Sequence, residues 1–435
     1  MSSSSIAPRV VLFTTYFHPI IGGVETHARH LARGLAAAGL DVWVLTKQID
    51  ATTPCDDLVD GVRVRRIPPS GPRKSSAKWK VVPWAFQTLL RERHSFDVIL
   101  CIDYRGIGVA ALAAGRLLGK PVVFDAETPG ALSCGNWDPA LSRLGLRRDG
   151  RLASLVKAPV RWLYGGAHAY ACISREIERE ALDRGIPDPT VRYLPHTVDT
   201  LAFRPPTPVE CHSARQALGL PLDKQVVAFV GRLGREKGIL DLLGAWRSLD
   251  RQDAVLFVVG PEMPGNALDV GPEVRTTAAS FAPGRVVLHG PATDVRPMLA
   301  AADVFVQPSH YEAFGISVIE AMATARPIVA TRVGGMAEYL RNGENALLCE
   351  PHEVHGLGTQ IAKLLDDRKL ASRLGACARA TAEQDFDERL VTGRWVELIR
   401  SLAPGDRDGL SRAVASAAMG LAPLTDLVEF LEALA

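Results

Sequence analysis

Short apolar segments alternate with amphipathic segments of helical length along most of this chain. The first half predicts strands at Val10–Thr14, Val42–Leu45, Val98–Leu100 and Val122–Phe124, and helices at Gly23–Ala38 and Val109–Leu118. Wholly apolar strands that alternate with helices are typical of a parallel sheet covered by helices on both faces. The pattern therefore predicts a doubly wound α/β fold.

A proline-rich segment, Phe203–Pro208, interrupts this pattern. Proline fixes φ and breaks both helices and strands, so we predict a linker here. The alternation then begins again, with strands at Val226–Val230, Ala254–Val259, Val286–Leu288, Val304–Val306 and Ile328–Ala330. We expect two Rossmann-like domains, residues 1–203 and 204–385, that bind ligands at their strand ends across a cleft.

The last part of the chain, residues 386–435, is predicted to be helical. Leu390–Leu402 has amphipathic spacing, and Leu410–Leu434 is rich in alanine and leucine. We expect these C-terminal helices to pack back on the first domain.

Composition narrows the class of protein. The 435 residues are 47% hydrophobic and 23% charged, with a net charge of +2. Such a chain is typical of a globular protein of two or three domains, and nothing in its overall charge points to a nucleic-acid partner. The seven cysteines are an odd number without a CxxC pair, which favours neither a disulfide framework nor a cysteine zinc site and predicts a reducing cytoplasmic location.

The N-terminus does not resemble a signal peptide, and no uncharged apolar run reaches the ~18 residues that a membrane span needs.

Two glycines lie between the first strand and the first helix, in the segment His18–His27 (HPIIGGVETH). Gly22 and Gly23 would let the backbone approach a ligand closely, and the helix N-terminus behind them favours an anion. A tight strand-to-helix turn without a ligand would explain the same residues. The turn alone leaves both interpretations open.

A second glycine-rich turn, Phe229–Gly238 (FVGRLGREKG), follows a predicted strand and precedes a helix. Arg232 and Lys237 can both reach a phosphate above this turn, since arginine offers a planar fork and lysine a point charge. The order Lys-Gly is not that of a P-loop, and the GxGxxG pattern of dinucleotide-binding turns is missing. The alternative is a pair of solvated surface cations.

The segment Tyr311–Gly335 carries two glutamates with seven residues between them. If a helix begins near Gly315, Glu320 lies about 7–8 Å along it and Glu312 lies in the loop before it, so both carboxylates can face one pocket. A carboxylate accepts several hydrogen bonds at once and suits the vicinal hydroxyls of a sugar or a ribose. An unpaired carboxylate inside the apolar run GISVIEAMA would be costly, which favours a functional Glu320. Gly334–Gly335, before a further helix, is a second candidate anion site.

Together these segments resemble the retaining, nucleotide-sugar-dependent glycosyltransferases of family four, which have the GT-B fold and an E-x7-E signature. The resembling segments run in order over nearly the whole chain: GGVETHARHLARGLAAAGLDVWVLT, LPHTVDTLAFRP, VGRLGREKG and HGPATDVRPMLAAADVFVQPSHYEAFGISVIEAMATARPIVATRVGG. The resemblance implies a GT-B fold with an acceptor-side first domain and a nucleotide-sugar-binding second domain.

The resemblance also implies roles for the candidate residues. Arg232 and Lys237 would hold the donor diphosphate, Glu312 would lie by the transferring sugar, and Glu320 would bind the ribose. The other donor contacts would come from Gly22, Gly23, Phe314, Gly315, Ile316, Gly334 and Gly335. The implied reaction moves a sugar from a UDP- or GDP-linked donor to a sugar, glycan or lipid-linked acceptor, with retention of anomeric configuration and without a metal or other cofactor. Two cations and helix N-termini suit the negative charge that develops on a diphosphate leaving group.

Two positions depart from the family pattern. Glu127, in the loop after Val122–Phe124, stands where many relatives carry a histidine, and we keep it as a candidate catalytic residue. His196 and Thr197 stand where the interdomain motif usually has Asn-Gly, so the backbone geometry of that loop is expected to differ.

Other interpretations compete with this one. A metal-dependent transferase of the other main fold would use an Asp-x-Asp pair; Asp385/Asp387 and Asp406/Asp408 have that spacing, but neither pair follows a buried strand. A nucleotide-sugar epimerase or a non-catalytic sugar-nucleotide-binding protein would share the two-domain architecture. The intact core motifs favour catalysis over binding alone.

The segment Arg143–Gly166 combines six cations with leucine, valine and aromatic residues. Basic amphipathic segments can lie on anionic membranes, so peripheral contact with the inner face of the membrane is one interpretation. The other is a solvated helix with its apolar side in the core.

Overall fold

The computed structural model describes residues 7–20, 22–71, 77–132 and 150–403. The chain divides into two compact units, Met1–Pro195 with Val391–Ala435, and His196–Leu390. The predicted linker at Phe203–Pro208 therefore lies inside the second unit. There the Arg379 guanidinium donates to the carbonyl oxygens of Thr200 at 2.9 Å and Phe203 at 2.6 Å, which ties this segment to the unit.

The first unit contains an eight-stranded sheet in the order β3-β4-β2-β1-β5-β6-β7-β8. All its neighbouring strands are parallel except β3 and β4. Its strands are β1 (Arg9–Phe13), β2 (Asp41–Lys47), β3 (Asp56–Val59), β4 (Val62–Ile67), β5 (Val98–Ile102), β6 (Val122–Ala126), β7 (Ala169–Cys172) and β8 (Val191–Tyr193). Its described helices before β8 are α1 (Gly23–Ala37), α2 (Ala77–Lys80), α3 (Val82–Arg91), α4 (Gly108–Leu118), α5 (Arg151–Tyr164) and α6 (Arg175–Asp183).

The second unit contains a six-stranded sheet in the order β11-β10-β9-β12-β13-β14, parallel throughout. Its strands are β9 (Gln225–Val230), β10 (Ala254–Val259), β11 (Val286–Gly290), β12 (Val304–Gln307), β13 (Ile328–Thr331) and β14 (Leu347–Cys349). Its helices are α7 (Pro208–Ala217), α8 (Ile239–Leu249), α9 (Gly271–Ala279), α10 (Arg296–Ala301), α11 (Ile316–Ala323), α12 (Met336–Tyr339), α13 (Val354–Asp366) and α14 (Arg368–Asp385).

The strands predicted from the apolar pattern are confirmed to within two residues at each end. Apolar strands buried on both faces are what a helix-covered parallel sheet requires, and β5, β6, β10 and β12 are buried at every position. The doubly wound α/β architecture is therefore confirmed for both units.

The pattern did not predict the hairpin of β3 and β4. Its sequences, DDLV and VRVRRI, are largely charged, because this hairpin forms an edge of the sheet and one of its faces is exposed. Asp60 and Gly61 form the turn with φ of +49° and +80°. Such a turn suits the aspartate-glycine pair, which tolerates the left-handed region.

The last described helix, α15 (Glu388–Leu402), contributes to the core of the first unit. Its apolar side, including Val391, Trp395 and Ile399, belongs to the same buried cluster as Val10 and Leu12 of β1. The part of the predicted tail at Leu410–Leu434 lies outside the described residues. No helix in the described part of the chain is long and apolar enough to cross a membrane.

Candidate functional site

The candidate site of the second unit is built at the carboxyl ends of β9, β12 and β13, which meet at one edge of the parallel sheet. The loop after β9 closes with a single 3₁₀ turn at Arg235–Lys237 and with Gly238 at φ +65°. A Cβ atom at Gly238 would lie 1.9 Å from the carbonyl oxygen of Pro308, which follows β12. Glycine is required there because the two loops are in direct backbone contact, and this contact brings Lys237 next to the loop of Glu312.

Lys237 and Glu312 form an ion pair, with Nζ and Oε2 separated by 2.5 Å. Both side chains are mostly buried, with exposed fractions of 16% and 12%. The lysine predicted for the diphosphate and the glutamate predicted for the sugar are thus in contact, although 75 residues separate them in sequence. A partly buried pair of this kind neutralises both charges and fixes their positions.

A chain of polar side chains supports Glu312. Ser309 Oγ donates to Glu312 Oε2 at 3.4 Å, and Gln307 Nε2 donates to Ser309 Oγ at 2.8 Å. Ser317, in the first turn of α11, donates to Gln307 Oε1 at 3.2 Å. Gln307 and Ser309 are buried, so the carboxylate is positioned from beneath by groups that have little freedom to move.

Arg232 lies at the start of the same glycine-rich loop but is more exposed than Lys237, at 40% of its side chain. Its Nη2 atom lies 3.2 Å from Glu236 Oε1, and its Nη1 atom contacts the sulfur of Met263. An arginine has five N–H donors, so this side chain keeps donors for a ligand.

Glu320 lies on α11 with 8% of its surface exposed. Burial raises the pKa of its carboxyl to about 8, and the negative charge of Asp294 adds to the rise. Among the described residues, no hydrogen-bond partner is found for its side chain. The raised pKa favours the protonated form near neutral pH, and a ligand hydroxyl would give this side chain a hydrogen-bond partner that the described residues do not supply.

We predict that Glu320 makes the protein less stable as pH rises. An unfolded chain releases this proton near the ordinary value of 4.5, whereas the folded protein keeps it up to about pH 8. The contribution of Glu320 to the free energy of unfolding is therefore most favourable below about pH 4.5. Above that pH it falls by up to ~1.4 kcal/mol per pH unit until the folded carboxyl titrates. Between about pH 5.5 and 7.5, urea unfolding should show wild type losing ~2–3 kcal/mol more than Glu320→Gln. The exposed control Glu344→Gln should behave as wild type; parallel pH curves for wild type and Glu320→Gln would contradict the assignment.

The start of α11 is held by backbone contacts. Gly315 is its N-cap residue, with φ +97°, which favours glycine. Phe314 is buried against Tyr339, and its carbonyl oxygen accepts from the Tyr339 hydroxyl at 2.6 Å. Ile316 begins the helix and is half-buried. The helix therefore starts where the sequence predicted, and the first amides of α11 have no acceptor within the helix.

Gly334 and Gly335 pack against the backbone of the Glu312 loop. Cβ atoms at these positions would lie 2.0 Å from the carbonyl oxygen of Glu312 and 2.2 Å from that of Ala313. The amide of Gly335 donates to the Glu312 carbonyl at 3.2 Å, and the helix that follows, α12, has only four residues. Close packing accounts for both glycines in the structure, and their role toward a donor stays a prediction.

The candidate residues of the first unit lie at the carboxyl end of its own sheet. Gly22 is the N-cap of α1 and Gly23 its first residue, and their backbone forms the predicted strand-to-helix turn. Glu127 follows β6 and is buried. Its carboxyl oxygen lies 3.5 Å from Nε2 of His27, which is on α1 one turn after the glycines.

A second carboxylate, Asp125, completes this buried cluster, with Oδ2 at 2.8 Å from His27 Nε2. Burial raises the pKa of the Glu127 carboxyl well above its usual range, although His27 lowers it and Asp125 raises it further. A carboxyl group with a raised pKa beside an imidazole can exchange a proton, as acid when protonated and as base when ionised. His27 and Asp125 are not among the residues predicted from the sequence; their signals are a histidine on the apolar side of α1 and acids at alternate positions of the strand end DAE.

The structure describes the interdomain positions that depart from the family pattern and the first of the two competing aspartate pairs. His196 and Thr197 are both buried, and neither has a positive φ. Asp387 pairs with Arg389 at 3.1 Å and accepts from Thr200, so it serves local structure. Asp385 is exposed at the end of α14, and the pair Asp406/Asp408 lies outside the described residues.

Two family models match this chain, one in each half. The model described as "Glycosyltransferase Family 4" matches residues 21–201, and "Glycosyl transferases group 1" matches residues 212–381. The chain is 30% identical over 387 residues to a D-inositol 3-phosphate glycosyltransferase of Acidothermus cellulolyticus, covering 82% of each chain. It is 27% identical over 425 residues to a glycogen synthase of Mycobacterium tuberculosis, covering 92% of this chain and 96% of that one.

Among solved structures, Anabaena HepE in complex with UDP and glucose superimposes with a TM-score of 0.72. It is 20% identical, and the match covers 91% of this chain and all of HepE. This likeness establishes the shared two-domain fold.

Proposed function

This chain belongs to the family 4 glycosyltransferases with the GT-B fold, and from that premise we propose that it transfers a sugar from a nucleoside-diphosphate sugar to an acceptor hydroxyl with retention of anomeric configuration. The observation that carries the proposal is the contact of Lys237 with Glu312 at the strand ends of the second unit. The two relatives named above are a glycosyltransferase and a synthase, which gives the epimerase alternative no support.

The leaving diphosphate is the group that Lys237 and Arg232 stabilise in this proposal. As the glycosidic bond breaks, negative charge builds on the phosphate oxygens, and two preorganised cations lower the energy of that state. Their charge takes the place that a divalent metal would have, so we propose that the transfer itself needs no metal. Glu312, held by Ser309, orients the sugar and stabilises the positive charge that develops at its ring.

Retention follows when the acceptor attacks from the face that the diphosphate leaves. The departing phosphate then accepts the acceptor proton, so no side chain of the second unit has to act as base. Glu320 holds the ribose hydroxyls. Glu127, next to His27 and with its pKa raised by burial, is the residue of the first unit that we propose to contact the sugar or the acceptor.

The donor is proposed to be UDP- or GDP-linked. HepE was crystallised with UDP and with UDP-glucose, which favours UDP as the first nucleotide to test. The acceptor class proposed is a sugar, a glycan or a lipid-linked hydroxyl, and the named relatives add a polyol phosphate to the panel.

A donor screen tests this function. The full chain is mixed with UDP-, GDP- and ADP-sugars, and thermal stabilisation and nucleotide release are followed. We expect one nucleotide class to stabilise the protein, and to do so less in Lys237→Ala. Equal, negligible shifts with all donors, or shifts unaffected by Lys237→Ala, would contradict the proposed site.

Peripheral membrane contact is proposed for the first unit. Leu152, Leu155 and Trp162 of α5 are 60%, 67% and 56% exposed, and their spacing places them on one side of the helix. Exposed apolar residues on one side of a helix suit a lipid surface, and Arg161 of the same helix is partly exposed, whereas Lys157 is buried. The part of the predicted segment at 143–149 lies outside the described residues.

We predict that Leu155→Ser weakens binding to vesicles that contain an anionic lipid by about tenfold, because a buried leucine contributes ~1.5–3 kcal/mol. Co-sedimentation with phosphatidylglycerol and phosphatidylcholine vesicles measures this. Leu58→Ser, at an equally exposed leucine of β3, is the matched control. Equal binding of wild type and Leu155→Ser, or equal loss in Leu58→Ser, would count against membrane contact through α5.

A further inference from the structure

Three side chains of the second unit converge beside the donor loop and take no part in the proposed transfer. Asp241 is in the first turn of α8, His310 follows β12, and His352 follows β14. His310 Nε2 lies 2.7 Å from Asp241 Oδ2, and His352 Nδ1 lies 3.6 Å from the same oxygen. One ligand atom from each residue lies within 4.8 Å of the other two.

The backbone holds these residues in place. The amide of His310 donates to the carbonyl of Glu236 at 2.8 Å, which fixes the loop after β12 on the loop after β9. His352 has φ +68°, a conformation that is costly for a residue with a side chain. The imidazole rings of His310 and His352 lie against each other, with centroids 3.7 Å apart.

The chemistry of this donor set suits a transition metal. Two imidazole nitrogens and a carboxylate oxygen are common ligands of Zn²⁺, at about 2.0–2.2 Å from the ion. Neighbouring ligand atoms of a tetrahedral site are then about 3.4 Å apart. The observed 2.7 Å and 3.6 Å lie on either side of this value. His352 is 68% exposed and can turn toward an ion, while Asp241 and His310 are more buried and better fixed.

We propose that Asp241, His310 and His352 form a binding site for a divalent transition metal of the Zn²⁺ class. The open side at His352 leaves the fourth position to water. The ion would join the first turn of α8 to the loops after β12 and β14; Glu312 lies in the loop after β12, and Lys237 lies just before α8. It would stabilise these loops and is separate from the residues that we assign to the diphosphate, so the inference holds whether or not the transfer proposal does.

The test uses the full chain without an affinity tag, treated with chelator and dialysed. Zn²⁺ is titrated by calorimetry, and Co²⁺ is titrated by the visible absorption of its d–d bands. We expect one equivalent to bind, and Asp241→Asn, His310→Ala and His352→Ala each to weaken binding about tenfold or more. His352 is exposed, so its replacement should leave the fold intact, which circular dichroism checks.

His355→Ala is the matched control, since His355 is exposed on α13 three residues after His352 and is not part of the cluster. It should bind the metal as wild type does. The proposal is overturned if wild type binds no stoichiometric metal, if His352→Ala binds as well as wild type, or if His355→Ala loses binding to the same extent. A thiolate-to-Co²⁺ charge-transfer band would also overturn it, because it would place the ion on a cysteine.

Discussion

Replacing Glu312 with glutamine is expected to lower kcat by ~10²–10³-fold while donor affinity stays near that of wild type. The substitution keeps the shape and the hydrogen bond from Ser309 but removes the charge opposite the sugar ring. That charge stabilises the transition state more than the ground state, so the loss falls on kcat. Steady-state kinetics and calorimetry with the donor separate the two effects.

The ion pair with Lys237 indicates in which direction donor affinity should change in Glu312→Gln. The Lys237 ammonium is paired with the Glu312 carboxylate at 2.5 Å. Without the glutamate charge, the lysine is fully available to the diphosphate, so donor affinity should hold or increase. Glu344→Gln, an exposed acid-to-amide control, should change neither parameter. A Glu312→Gln enzyme with wild-type kcat, or one whose only defect is weak donor binding, would show that the role is misassigned.

Replacing Lys237 with alanine is expected to lower kcat/KM by ~10–150-fold, which corresponds to the ~1.5–3 kcal/mol of a lost charge-assisted hydrogen bond. The loss should appear in donor affinity as well as in turnover, since the diphosphate is charged before and after bond cleavage. Lys369→Ala, at an exposed lysine of α14, is the control and should retain wild-type values. Unchanged kcat/KM in Lys237→Ala would remove the lysine from the diphosphate site.

The double variant Lys237→Ala/Glu312→Gln tests the contact itself. Lys237→Ala leaves the Glu312 carboxylate without its partner, and that charge then repels the phosphate. Removing it as well should restore part of the donor affinity, so the two changes are not additive. Independent, additive losses in nucleotide binding would mean that the two residues do not act on the same ligand.

Much of the fold could be predicted from the sequence because its strands are apolar throughout. Val122–Phe124 and Ala254–Val259 have no polar face, which only a helix-covered sheet tolerates. The β3–β4 hairpin could not be found in this way, since charged residues interrupt its apolar pattern: Asp56 and Arg63 are exposed, and Arg66 is buried and paired with Asp57. The prolines did not locate the passage between units at Pro195–His196, because they are held inside the second unit; the segment that resembles the interdomain motif, at His196-Thr197, lies at this passage.

The sequence identified those residues of the candidate site that lie in recognisable glycine-rich turns or in an apolar helix. Glu320 was identified from the cost of placing a carboxylate in an apolar helix, and the structure buries it as expected. The contact of Lys237 with Glu312, and the convergence of Asp241, His310 and His352, depend on which loops meet at the sheet edge. Strand order decides this, and spacing along the chain does not encode it.

The most direct test of the central claim is the anomeric configuration of the product. With the donor found in the screen and an acceptor from the panel, the reaction is run in the presence of chelator and the anomeric proton signal is followed by NMR. We predict release of one nucleoside diphosphate for each bond formed and a product with the same anomeric configuration as the donor. A product of inverted configuration would contradict the account. So would transfer by His352→Ala that occurs only after a divalent metal is restored, because that variant lacks the proposed loop metal site and such a requirement would belong to the transfer itself.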